Sequence, residues 1–258
     1  MPITRPSAVL LTAAALLAGG LAVASPAAAA PAPRTIATSP DGRYLARLTH
    51  GRLLVATKAG RTTWASTRTN TPATSAVLDR TGDLRLTDGR RTYWSSRTSG
   101  AGRSTLQLGN DGVLAVRASR LLVWSSRTGN ACPRTSGKTF VVDISSQFAR
   151  MCTNGNQIRA TYVTTGARGT ATPTGRWRVY AKQRNATLRP SSGGAFKVKY
   201  WVPYYGGYGV HDAPWQTFAY GSAKYRTAGS HGCVRTPLQA VKFFYGWVRV
   251  GTRVVVTR

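Results

Sequence analysis

The chain contains no glutamate, and its whole acidic complement is seven aspartates set against 36 lysines and arginines. Beyond residue 131 only Asp143 and Asp212 remain. A two-carboxylate glycosidase site or a carboxylate-rich metal centre in the second half has only those two groups to draw on. Neither a His-Glu-x-x-His zinc pattern nor a Ser-x-x-Lys acylation pattern occurs. Histidine and cysteine are scarce too, at three each. No metal site and no cofactor are expected, and the chemistry narrows to few side chains.

Residues 1–29 read as an export signal. A basic start ending at Arg5 leads into an apolar run from Ala8 to about Ala24, with Ala-x-Ala cleavage options at Ala22-Val23-Ala24 and Ala27-Ala28-Ala29. No later segment approaches the ~20 apolar residues that span a bilayer. The mature protein is expected to be secreted and soluble, without a stable membrane anchor once the signal is cleaved; an uncleaved signal acting as an anchor is the alternative.

In an exported chain, three cysteines point to one disulfide and one leftover thiol. Cys132 and Cys152 are the close pair, and Cys233 is left over, although its pairing with either of the others stays open. Cys233 lies in Ser230-His231-Gly232-Cys233-Val234-Arg235. A thiol becomes a useful nucleophile when a histidine, a basic neighbour or a helix N-terminus stabilises the thiolate. Thr236-Pro237 reads as an N-cap and first helical position, with Leu238, Val241, Tyr245 and Val248 at helical spacing, so all three stabilisers are expected. Gly232 permits backbone torsions that turn neighbouring amides toward an oxyanion. A turn holding a buried cysteine is the plain alternative.

The formal charge of +29 is spread over both mature halves, with 16 basic and 5 acidic residues in 34–130 and 19 basic and 2 acidic in 131–258. Such a field attracts polyanions. Export favours anionic polymers or glycans of a cell wall over nucleic acid, for which no aromatic-basic recognition motif is present.

Trp64, Trp94 and Trp124 recur every 30 residues within Trp64-Ala65-Ser66, Trp94-Ser95-Ser96-Arg97-Thr98 and Trp124-Ser125-Ser126-Arg127-Thr128. Turns at Asp41-Gly42, Gly82-Asp83 and Asp111-Gly112 precede them, flanked by alternating apolar residues. Residues 35–130 resemble the bulb-type (mannose-binding) lectin domain, a β-prism of three such repeats. That family's sugar-site positions fall on Ser39, Asp41, Arg43, Leu45 and Arg47 in the first repeat. They fall on Asp79, Thr81, Asp83, Arg85 and Thr87 in the second, and on Gly109, Asp111, Val113, Ala115 and Arg117 in the third. Most depart from the family pattern, so a different wall glycan or a spacing role is expected instead of mannose.

A linker at 131–137 leads into a second half with strand patterns at 139–145, 157–164, 176–181, 196–202 and 254–257, and one main helix near 237–248. Residues 138–258 resemble the YkuD-type L,D-transpeptidase catalytic domain. The resemblance is carried by the Ser230–Arg235 motif, Val141-Val142-Asp143-Ile144-Ser145-Ser146-Gln147, Thr165-Gly166, Thr172-Pro173-Thr174-Gly175 and Gly209-Val210-His211-Asp212. It implies a mainly β enzyme in which Cys233 forms a thioester with a peptidoglycan stem peptide and an amine of a second stem resolves it. His211 would be the general base, and His231, Gly232 and Cys233 would supply oxyanion amides. Ser230 would orient an imidazole or shape the turn, and Arg235 would bind a carboxylate or brace the loop. Tyr208 and Trp215, from an aromatic-rich stretch, would contact substrate. Water as acceptor would make the same site an L,D-carboxypeptidase, and a wall-binding lectin with a silent second half is the competing reading.

Overall fold

The computed structural model describes residues 32–191 and 193–258, so the export signal lies outside the described residues. The chain is mainly β, with 44% strand and 6% helix.

The first half forms three antiparallel sets of strands, of which two are small separate sheets. Arg34–Thr38, Tyr44–Thr49, Arg52–Thr57 and Thr62–Ala65 (β1–β4) make one, and Ser75–Leu78, Leu84–Thr87 and Thr92–Ser95 (β5–β7) make the next. Thr105–Leu108, Leu114–Ala118 and Leu121–Ser125 (β8–β10) are the third set. Each set delivers one tryptophan to a common centre, where Trp64, Trp94 and Trp124 meet edge to face in all three pairings, their centroids 6.0, 5.5 and 5.7 Å apart. Edge-to-face contact lets all three indoles share one apolar core without stacking.

The serine two residues after each tryptophan explains why the repeat is more than a tryptophan. Ser66, Ser96 and Ser126 Oγ accept from the amides of Leu53, Leu84 and Leu114 at 3.1, 2.9 and 3.0 Å. Their own amides donate back to the same leucines' carbonyls at 2.9, 2.9 and 2.8 Å. Where the strand pairing ends, a side chain thus supplies the missing acceptor. The turn aspartates work locally as well. Asp79 Oδ1 accepts from the amides of Thr81 and Asp83, and its Oδ2 pairs with Arg85. Asp41 holds Ser39 and Arg43 in the same way.

In the second half, Lys138–Asp143, Phe148–Thr153 and Asn156–Tyr162 (β11–β13) form an antiparallel meander. Asn154 and Gly155, both at positive φ (50° and 77°), turn the last hairpin. Gly175–Arg178 (β14), Gln183–Leu188 (β15), Phe196–Tyr205 (β16) and Tyr208–His211 (β17) follow. Then come the short helix Tyr225–Ala228 (α1), Val234–Arg235 (β18), the helix Leu238–Trp247 (α2) and Arg253–Thr257 (β19). A second sheet is ordered β15-β16-β17-β18, and α2 seals the core between the sheets through Val241 and Phe244, the latter 4.4 Å from Phe140 ring to ring. β12, β15, β17 and β18 are strands that the sequence pattern did not reveal.

The two halves share one eight-stranded sheet, β14-β19-β11-β12-β13-β10-β9-β8, joined at Leu122 against Ala160. Buried polar side chains reinforce the join: Gln157 donates to the Val123 carbonyl, and Arg159 Nη1 donates to the Ala101 carbonyl at 2.9 Å while its guanidinium lies over Phe243. Cys132 is bonded to Cys152, with Cα atoms 5.7 Å apart, tying the connecting segment to β12. Cys233 is the free thiol.

Candidate active site

Three supports hold the loop that carries Cys233. Gln147, buried with φ 49°, clamps Thr165: its Nε2 donates to Thr165 Oγ1 at 2.6 Å and its Oε1 accepts from the Thr165 amide at 2.8 Å. The Thr165 carbonyl in turn accepts from the Ser230 amide at 3.0 Å. Ser230 returns its carbonyl to the Ala167 amide and to Thr170 Oγ1. Two separated sequence motifs therefore meet as one truss beneath Cys233. Sequence reasoning assigned no role to Gln147 or Thr165, although both lie in the segments that carry the resemblance.

Ser230 shapes the turn. Its Oγ donates to the Cys233 carbonyl at 2.5 Å and accepts from the Gly232 amide at 3.0 Å. This corrects the expectation for Gly232, whose N–H is spent inside the loop and is not free for an oxyanion. Among the described residues, the amides of His231 and Cys233 have no acceptor and remain available. Gly232 is required on other grounds: φ is 110°, and a Cβ there would sit 2.3 Å from the Tyr208 ring.

The helix expectation is corrected as well. Cys233 runs into β18, α2 starts only at Leu238, and Pro237 at the N-cap makes no side-chain capping bond. Thr236 donates instead to the Val234 carbonyl. The sequence signal for a helix start was real, but the two-residue strand puts a spacer between thiol and helix.

Parallel pairing of Val210 with Val234 and of His211 with Arg235 brings the two motifs side by side. Cys233, His211, His231, Ser230, Arg235, Tyr208 and Trp215 all line one cleft of 780 Å³. Trp201 and Phe196, which sequence reasoning left as strand residues, line it too. Of the other aromatics in the crowded stretch, Tyr204 is buried in the core and Tyr205 stacks on Trp177 outside the cleft.

His211 is buried between Trp201 and Trp215, with ring centroids 5.9 and 6.0 Å away, and burial pushes its pKa down to about 4. Its Nδ1 lies 2.6 Å from the Asp212 backbone carbonyl. A carbonyl only accepts, so Nδ1 carries the proton and Nε2 holds the free lone pair. The Asp212 carboxylate is occupied elsewhere, accepting from the amides of Lys199 and Tyr200. Burial also raises the Cys233 pKa, against opposing effects from the Gly209 amide and the Arg235 charge. The resting pair is therefore thiol and neutral imidazole. Arg235 spends Nη1 on the Ala228 carbonyl at 3.1 Å, while its buried Nε has no protein partner. One arm braces the loop, and Arg235 also lines the cleft.

Residues 137–256 match the family model of the L,D-transpeptidase catalytic domain. No curated protein matches the chain. Among solved structures, the Enterococcus faecium L,D-transpeptidase is 34% identical, with 47% of this chain and 50% of that chain covered and a TM-score of 0.45. The isolated catalytic domain from E. faecium is 33% identical, covering 48% of this chain and 100% of that one, with a TM-score of 0.44. An L,D-transpeptidase from Stackebrandtia nassauensis is 29% identical, over 50% of this chain and 59% of that one, with a TM-score of 0.42. The chain thus spans half the length of the first of these and the whole of the second. The segment that bears Cys233 and His211 thus matches the L,D-transpeptidase catalytic-domain family.

Proposed function

We propose that the protein is an exported cysteine L,D-transpeptidase that joins peptidoglycan stem peptides through their third-position diaminopimelate residues. The observation that carries this reading is the shared cleft of Cys233 and His211, in which the tautomer leaves Nε2 as the base. The Cys233 thiol passes its proton to His211 Nε2 as sulfur attacks the carbonyl joining the L-centre of diaminopimelate to D-Ala. The oxyanion is met by the amides of His231 and Cys233. His211 returns the proton to the departing D-Ala amine, and a thioester remains. The side-chain amine of a second stem attacks that thioester, its proton goes to His211 and then to the released sulfur, and an amide cross-link results. Water in place of the amine gives L,D-carboxypeptidase activity at the same site.

Arg235 and the aromatic walls Tyr208, Trp215, Trp201 and Phe196 are assigned to holding the stem. Residues 35–130 are assigned as a bulb-lectin-like β-prism that holds the enzyme to wall polymers, followed by a linker at 131–137 and the catalytic domain at 138–258. The shared tryptophan centre supports that architecture. At the lectin family's sugar positions, Asp41 and Asp79 are engaged within their own turns, which favours a polymer other than mannose. Incubating wild type and Cys233→Ala with a diaminopimelate-containing tetrapeptide and reading products by mass spectrometry tests the reading. The variant should form neither adduct nor dimer.

A further inference from the structure

The 30-residue repeat singles out one arginine. Arg97 and Arg127 occupy corresponding positions, as do Thr81 and Asp111. In the third repeat Arg127 pairs with Asp111 at 3.1 Å. In the second, threonine replaces the carboxylate, and Arg97 forms no ion pair among the described residues. Its side chain turns instead toward the connecting segment, where Nη2 donates to Asn130 Oδ1 and the Cys132 carbonyl at 3.3 and 3.4 Å. Its backbone sits at φ 53°, and its carbonyl accepts from the Gln157 amide and Asn130 Nδ2.

Arg97 and Arg134 line a pocket of 400 Å³ with Thr135, Ser136 and the Asn154–Asn156 turn, and none of these residues borders the Cys233 cleft. Arg253 reaches in from β19, donating to Thr135 Oγ1 and the Ser136 carbonyl. Burial, and then the charge of Arg134, push the Arg97 pKa below its ordinary value. Two like charges face each other, with hydroxyls and side-chain amides around them and no carboxylate in the lining. Such a site repels cations and offers little to an apolar ligand. Guanidinium forks match the oxygens of phosphate and carboxylate.

We infer that this junction pocket binds the oxyanion group of an anionic polymer, a phosphodiester or a carboxylate, with Arg97 and Arg134 as its charged contacts. The site is formed by both halves of the chain, so a polymer held there would be fixed relative to the catalytic sheet.

The test titrates inorganic phosphate into the mature protein at constant ionic strength, with chloride as the balancing salt, and follows the arginine Nε–H NMR signals. Arg134→Gln removes an exposed contact, and Arg127→Gln removes an equal charge outside the pocket. Saturable shifts at Arg97 and Arg134, about tenfold weaker in Arg134→Gln and within about twofold of wild type in Arg127→Gln, are expected. Absence of saturation, or equal weakening in both variants, would overturn the site. Binding of a glycerol phosphate polymer and of polygalacturonate, each compared between wild type and Arg134→Gln, identifies the source. The polymer whose retention depends on Arg134 carries the relevant group, and independence from Arg134 in both arms rejects the proposal. The readout is binding, so it stands apart from any thioester chemistry at Cys233.

Discussion

The ring of His211 is held by the backbone carbonyl of Asp212, 2.6 Å from Nδ1, while the carboxylate of Asp212 faces the other way onto the amides of Lys199 and Tyr200. Asp212 thus orients the His211 ring through its main chain. Its carboxylate ties the end of β17 to β16.

From this arrangement, Asp212→Asn should be mild and Asp212→Ala costly. Oδ1 accepts both amides and Oδ2 shares that of Lys199; an asparagine oxygen can take over the Oδ1 role, whereas alanine strands both donors at about 1–3 kcal/mol each. Denaturant unfolding measures the difference. If Asp212→Asn lost as much turnover as His211→Gln in a folded protein, the carboxylate would have an electrostatic role instead.

The pH behaviour of the thiol follows from burial. With the Cys233 pKa raised and His211 neutral, no thiolate–imidazolium pair exists at rest. Alkylation of Cys233 by iodoacetamide should therefore climb about tenfold per pH unit through neutrality, with no plateau in that range. A plateau near pH 6 would reveal a preformed ion pair.

Stability should respond to pH through His211. Its folded pKa is depressed from 6.5 to about 4, so the unfolded chain takes up the proton first as pH falls. The stabilisation is whole above pH 6.5 and drains away as pH drops toward 4, by up to about 3 kcal/mol. In His211→Gln this part of the acid loss should vanish from a series of urea melts.

Gly232→Ala should disable the site even where the fold survives. It forces a side chain into φ 110° and sets a Cβ 2.3 Å from the Tyr208 ring. A cost of about 2 kcal/mol or more is expected, with turnover lost beyond that as the Cys233 loop shifts. Adding Tyr208→Ala would relieve the contact but not the torsion, so only part of the stability should return.

In the first half, Ser96→Ala should cost more than Ser66→Ala. Both serines accept from a leucine amide, but Ser96 is also buried against Asp83 and Thr98. Losses of about 1 and about 2–3 kcal/mol are expected from thermal unfolding. Equal losses would mean that the buried network adds nothing.

Much of this was legible in the sequence. The tryptophan period and the alternation around each turn announced three sets of short strands around a common tryptophan core, and the motif residues around His211 and Cys233 do share a cleft. Strand β12 escaped because Phe148–Thr153 is buried on both faces and shows no clean alternation, although Asn154-Gly155 marked its hairpin. The two-residue β18 is too short for any periodicity, and missing it misplaced the thiol against the helix. That Ser230 consumes the Gly232 amide depends on loop torsions that composition does not encode. The join through Gln157 and Arg159 is tertiary, with partners 34 and 58 residues away.

The most direct test of the central claim is mass spectrometry of the folded, reduced mature protein with a diaminopimelate-containing stem tetrapeptide. Release of D-Ala, a peptide thioester on Cys233 and a cross-linked dimer, all absent in Cys233→Ala, are predicted. A folded enzyme that forms neither adduct nor product, or a Cys233→Ala variant that still forms the dimer, would contradict it.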